Sequence, residues 1–263
     1  EFTYTKPGEF AARLTVTDHR RGIASTSVMN VPIVAGNTAP VVRFEWPPNG
    51  GIADIGERVE FRVYLEDAED GAFDSQRDGA RLTVQPLLGH DTHAHPSRQL
   101  HEPRGVVQLE AEDALDGQQT QDSGVANAGG HGEGANIFTV ISASYTDSGA
   151  AGTRALSSRA EVVLQPRRKQ AEHFTEQSGI VLERCEDEGG GIACAYIENG
   201  DWASYAPVNL MNIDAMRFRV ASAGEGGTIE VRLGERREDA PVIARAAVSP
   251  TGGWQKCVTI ETP

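Results

Sequence analysis

Short runs in which apolar and polar residues alternate recur along the whole chain, and alternation with period two predicts strands with one buried face. Phe10, Ala12, Leu14 and Val16 fall on one face of a run that ends at Thr17. A turn over Asp18-His19-Arg20-Arg21-Gly22 leads to a second run from Ile23 to Val34. Beyond the linker Asn37-Thr38-Ala39-Pro40, strands are expected at Val41 to Trp46, at Val59 to Leu65 and at Arg81 to Leu88. Asn136 to Tyr145 and Ala160 to Gln165 read as the closing strands of that region. After the basic link Arg167-Arg168-Lys169 the alternation returns, in Met216, Phe218 and Val220 and again in Ile229, Val231 and Leu233. No run keeps a helical period over a useful length. The expectation is an all-β chain, a string of β-sandwiches divided at 1–36, 37–167 and 168–263.

Composition agrees with that reading. Among 263 residues there are 29 Gly and 13 Pro, with few aromatics, as short strands joined by turns require. The net charge of −14 argues against nucleic acid and against anionic membrane surfaces, both of which select clustered Lys and Arg. It suits an extracellular or periplasmic protein that holds cations. No stretch reaches the length of a transmembrane helix, so membrane insertion is not expected. Glu1-Phe2-Thr3-Tyr4 has neither the basic head nor the apolar core of a signal peptide.

Residues 89–135 are polar and rich in Gly, hold five of the seven His, and read as one long insertion. Within them runs Gly89-His90-Asp91-Thr92-His93-Ala94-His95-Pro96. On an extended segment His93, His95 and Asp91 share a face. Imidazoles beside a carboxylate suit Zn²⁺ or Cu²⁺, with His90 and His131 as further candidate ligands. The other reading is a set of hydrogen-bonded loop histidines. Asp67, Glu69, Asp70, Asp74 and Asp78 form a separate acidic run without the spacing of an EF-hand, and a solvated turn is expected there. No nucleophile elbow, zinc-protease helix or phosphate-binding glycine loop occurs, and nothing places two carboxylates across a cleft. The chain is expected to bind rather than catalyse.

Three cysteines are present. Cys185 and Cys194 flank Gly189-Gly190-Gly191 and can be bridged if that loop folds back, and the odd count leaves one thiol free or paired elsewhere.

One stretch carries more information than any other: Glu186-Asp187-Glu188, the triple glycine, then Ile192 to Ile197, then Glu198-Asn199-Gly200-Asp201-Trp202. Thr251-Gly252-Gly253-Trp254-Gln255 follows about fifty residues later. Gln170-Ala171-Glu172, Phe218 to Ser222 and Gly227 to Val231 complete the pattern. In this order the segments resemble family 6 carbohydrate-binding modules over roughly 168–263. The resemblance implies a jelly-roll β-sandwich that grips a poly- or oligosaccharide between two aromatic rings, Tyr196 and Trp254, with Glu183 accepting hydroxyl hydrogen bonds. It implies a structural Ca²⁺ near the first strand, with Gln170 and Glu172 contributing. It also implies an Asn and an acidic ligand near the module's C-terminus, which would lie beyond Pro263. Trp202 is expected in the core, and Tyr205 is open.

The start of the chain, Tyr4-Thr5-Lys6-Pro7-Gly8-Glu9-Phe10 followed by Leu14-Thr15-Val16-Thr17-Asp18, resembles the last hairpin of a PKD-type immunoglobulin-like domain. The His-rich region resembles the domain that precedes family 6 modules in some secreted bacterial sugar-dehydrogenase-like proteins. Together these imply an accessory region that holds an absent catalytic domain near polysaccharide, with both ends falling inside domains. The rivals are a structural or adhesive spacer that binds no sugar and a metal-binding domain centred on His90, His93 and His95.

Overall fold

The computed structural model describes residues 2–90, 93–109, 135–187, 191–234 and 240–263, with His93 described for its backbone alone. The protein is all-β, as the alternation predicts, apart from a four-residue helix Ser75–Asp78 and the 3-10 turn Gly79–Arg81. It divides into two compact units. One takes the residues before 50 with 53–109 and 138–164; the other takes 165 onward with 50–52 and 135–137.

In the first unit, Arg104–Gln108, Arg58–Glu66 and Val41–Trp46 form one antiparallel sheet. A second sheet runs through Ser157–Gln165, Ile137–Thr146, Leu82–His90 and His93–Pro96. The pleat decides what lies inside: Phe61 and Val63 are buried while Glu60 and Arg62 are exposed. Phe61, Leu82, Val84, Val107, Ile141, Tyr145 and Leu164 are among the residues that meet in the core. Each large side chain there contributes roughly 2–3 kcal/mol by leaving water.

The first residues depart from expectation. The run from Phe10 to Thr17 is two strands, because its halves pair with different partners. Gly8–Phe10 pairs with Ile33–Ala35, while Arg13–Asp18 pairs with Ile23–Val28. The Phe10 ring stacks on Tyr4 at 4.4 Å, whereas Leu14 and Val16 are 65% and 60% exposed. The predicted turn is present: Asp18 Oδ1 accepts the Arg20 N–H, the Asp18 carbonyl accepts from Gly22, and Gly22 takes the left-handed φ of 65° that closes it.

Two further expectations are corrected. The His-rich segment is not a loop from residue 89. It begins as a hairpin, in which Leu82–His90 pairs with His93–Pro96 and His90 stands opposite His93. The acidic run is only partly solvated: Glu69 and Asp74 are exposed, while two others are buried. Asp78 is fully buried and Asp67 is 6% exposed. Arg77 and Arg81 converge on Asp78 at 2.6 and 2.5 Å, and Arg81 also reaches Asp70 at 2.7 Å. Arg77 Nε and Nη2 hold the Asp78 carboxyl well below the usual carboxylate range against the cost of burial, with help from the Asp74 N–H and Arg81. Asp74 caps the short helix, accepting from the N–H groups of Gln76 and Arg77.

The second unit is built from antiparallel pairs: Glu176–Ser178 with Trp202–Ser204, Val181–Cys185 with Gly191–Ala195, Met216–Ser222 with Gly253–Thr262, and Gly227–Arg232 with Val242–Val248. Met216, Phe218 and Val220 turn inward and Arg217 and Arg219 outward, as the sequence alternation requires.

Candidate functional site

The hairpin Val181–Cys185/Gly191–Ala195 organises the candidate site. Its register sets Val181 opposite Ala195, Glu183 opposite Ala193 and Cys185 opposite Gly191. Glu183 therefore sits at mid-strand, and it is exposed. Tyr196 follows Ala195 directly. Its backbone is left-handed, with φ 55°, and its side chain is 69% exposed. An aromatic residue with a Cβ in this region is an uncommon and costly arrangement. The chain is held to it on the far side by a tight turn, where Asp201 Oδ2 accepts the Glu198 N–H at 2.7 Å. That carboxylate fills the space where Gly179, itself at φ 83°, would carry a Cβ, so only glycine fits there.

Trp254 stands on Gly253–Thr262 and is 68% exposed. Its ring borders Gly224, whose missing Cβ would lie 3.6 Å from Trp254 Cη2. Gln255, the next residue, ties this segment to the hairpin. Its Nε2 donates to the Arg184 carbonyl at 3.1 Å, and its Oε1 accepts the Glu186 N–H at 2.9 Å. The loop leaving Cys185 is fixed again by a bidentate pair, Arg219 to Asp187 at 2.6 and 2.7 Å. Trp254 thus belongs to the Cys185 end of the strand and Tyr196 to the Val181 end, with Glu183 between them. Val181 and Arg184 are three residues apart, about 10 Å along an extended strand. The sequence analysis assigns Gln255 no role; its place next to Trp254 in the Gly-Gly-Trp-Gln segment is the available signal.

Chemically, an exposed ring offers a flat apolar face to an apolar partner, and a carboxylate accepts hydrogen bonds from hydroxyls. Trp202 is half-buried, its strand paired through Ser178. The Tyr205 hydroxyl donates to the Ala171 carbonyl at 2.7 Å, and burial, reinforced by Cys194 and Glu172, pushes its pKa up to about 12.

Among the described residues of this unit, Glu172 is the one side chain with both carboxylate oxygens buried and without a hydrogen-bond partner. A buried carboxylate left so is costly, and a cation removes the cost. The donor set fits Ca²⁺, which takes oxygen ligands. Among the described residues no three His, Cys, Asp or Glu side chains gather as a metal site, so partners for Glu172 would be carbonyl or amide oxygens, such as those of Gln170. The Gln170 carbonyl accepts the His173 N–H at 3.1 Å.

Cys185 and Cys194 are not bridged. Cys194 pairs with Leu182, three positions from Cys185, which puts the two on opposite faces of the hairpin and roughly 10 Å apart along it. That separation exceeds the reach of a disulfide.

In the first unit His90 is 2% exposed. Its Nε2 lies 3.0 Å from Nε2 of His95, with the rings stacked at 5.1 Å. Asp91, His131 and the side chain of His93 lie outside the described residues.

Comparison with known proteins locates one family. Residues 170–263 match the model of the carbohydrate binding module, family 6. Clotting factor G alpha subunit of Tachypleus tridentatus is 33% identical over 93 residues, which are 35% of this chain and 13% of that protein. The chain therefore spans only a small part of that relative. No solved structure matches. The C-terminal segment is thus similar to a carbohydrate-binding module, a β-sandwich that binds rather than catalyses. No helix among the described residues is long and apolar enough to cross a membrane.

Proposed function

We propose that this chain is a non-catalytic accessory region that binds a poly- or oligosaccharide through Tyr196, Trp254 and Glu183. One observation carries the reading: within the segment matching the family, Tyr196 and Trp254 are 69% and 68% exposed, where structural aromatics would be buried. Each ring is laid on an apolar sugar face, and Glu183 accepts from the hydroxyls between them. The left-handed backbone at Tyr196 supports the reading, because strain held at an exposed aromatic points to use rather than packing. Glu172, with Gln170, binds Ca²⁺ and fixes the start of the unit. In a longer extracellular protein such a module keeps a catalytic domain near its polymer, which raises local concentration without new chemistry. Affinity electrophoresis against a panel of soluble glucans, xylans and galactans tests this. Retardation by at least one polymer, lost in Tyr196→Ala and Trp254→Ala at unchanged melting temperature, is the expected result. Retardation by none, or equal retardation of both variants, overturns it in favour of a spacer.

A second reading concerns the other unit and rests on the convergent Nε2 atoms of His90 and His95. They hold a Zn²⁺ or Cu²⁺ ion, with His93, Asp91 and His131 as the remaining candidates. Metal analysis of the dialysed protein after loading with each ion, beside His95→Ala, tests it. A stoichiometric ion lost in the variant supports the site. Its absence, or retention in the variant, leaves a hydrogen-bonded pair in which one ring donates and the other accepts.

A further inference from the structure

The third cysteine, Cys257, lies two residues from Gln255, the side chain that reaches the hairpin. Gln255 contacts the backbone on both sides of Cys185, at the Arg184 carbonyl and the Glu186 N–H. Cys257 follows Gln255 by two residues, in the irregular stretch between the Gly253–Ser222 and Val258–Val220 pairs. Thr259, two further on, accepts from Arg219 Nη1 at 3.3 Å, and Arg219 in turn grips Asp187, so Cys257 is flanked on both sides by residues tied to 184–187, the segment that holds Cys185. Both thiols are half-buried. Burial pushes the Cys257 thiol up, and the nearby Asp187 and Cys185 add to the effect. Cys194, by contrast, lies on the other face of the hairpin.

We propose that Cys185 and Cys257 are a disulfide-forming pair that staples the Trp254 strand to the Glu183 strand in an oxidising compartment. The oxidant is a disulfide, such as oxidised glutathione or a disulfide oxidoreductase. One cysteine, deprotonated, attacks a sulfur of the oxidant, forms a mixed disulfide and expels one thiolate. The second attacks the protein-side sulfur of that mixed disulfide, the Cys185–Cys257 bond forms, and the second thiolate leaves. The two protons released by the cysteines are taken up by the two expelled thiolates, and the oxidant gains the two electrons. Trp254 lies three residues from Cys257 and Glu183 two from Cys185, so the bond acts at the same seam that Gln255 closes. Because it joins residues about seventy apart in sequence, it restricts the unfolded chain strongly.

The readout is independent of sugar binding. The full chain is equilibrated with oxidised glutathione, alkylated, and mapped by mass spectrometry without reduction. The expected result is a chain lighter by two hydrogen atoms, a linked peptide joining Cys185 to Cys257, and alkylation at Cys194 alone. Reduction should then lower the melting temperature by on the order of 10 °C. Cys194→Ser should keep the link, and the Cys185→Ser, Cys257→Ser double variant should lose the reductant-dependent shift. Three alkylated cysteines, glutathione adducts without a link, or a link through Cys194 overturns the proposal. Should the double variant fail to fold, the map of the unmodified chain decides alone.

Discussion

The Gln255 carboxamide donates to the Arg184 carbonyl at 3.1 Å, and this bond joins the strand that presents Trp254 to the strand that presents Glu183. The same side chain accepts from Glu186, so its removal leaves a donor and an acceptor without their partners. Gln255→Ala is expected to cost about 1–3 kcal/mol of stability. Affinity for the polymer that the unmodified chain retains should fall about tenfold, or 1.4 kcal/mol, as Trp254 loses its fixed position. Thermal melts and calorimetric titration check both numbers. Trp254→Ala should differ by losing binding at nearly unchanged stability, because the ring is exposed.

At Tyr196 the backbone and the side chain make opposite demands. The left-handed conformation at φ 55° suits glycine, yet a tyrosine stands there, exposed. Tyr196→Gly removes the strain and buries nothing less. Stability should hold or rise by about 1 kcal/mol while sugar binding disappears. A melting temperature that falls by several degrees would mean that the ring packs, and would count against the binding role.

Much of the strand inventory was legible beforehand. Val41–Trp46 has the bounds that alternation predicts, and the inward faces of Arg58–Glu66 and Met216–Ser222 follow from period two alone. What escaped were relations between segments distant in sequence. The first strand of the His90–His95 hairpin follows from alternation, but its return strand went unread because His93–Pro96 is four residues long and carries no apolar alternation. Burial of Asp78 went unread because carboxylates normally stay in water; the Arg at the adjacent position and at i+3 were the available sign. The proposed pairing of Cys257 with Cys185 depends on which strands lie side by side, which spacing does not determine.

Glu172 should respond to metal rather than to other side chains. Both its carboxylate oxygens are buried without hydrogen-bond partners. Calcium at a hundredfold excess over its Kd should stabilise the chain by about 3 kcal/mol, and a chelator should reverse this. Glu172→Gln removes the charge at nearly constant shape. It should abolish the calcium response and leave the metal-free melting temperature equal or higher, since an uncompensated buried charge is gone. A variant that still gains stability from calcium would place the ion elsewhere.

Acid should act first on the other unit. Asp78 is fully buried between Arg77 and Arg81, and these hydrogen bonds lower its folded pKa below the unfolded value. For a carboxyl with a depressed pKa, the unfolded chain takes up a proton before the folded one. The stabilisation is therefore complete above the unfolded pKa of about 4 and is lost as pH falls from there toward the lower folded pKa. Asp78→Asn keeps the shape but removes the charge that three guanidinium contacts require. It should cost about 2 kcal/mol near neutrality, as the hydrogen bonds from the exposed Arg77 and the part-buried Arg81 lose their charged acceptor. It should also flatten the decline in stability below pH 4. Denaturant melts of both proteins between pH 7 and pH 2 measure this. Parallel curves for the two would mean that acid sensitivity arises elsewhere, with Asp70 next to be tested, since the Ser148 hydroxyl and N–H and Arg81 lower its pKa against the opposing effect of burial.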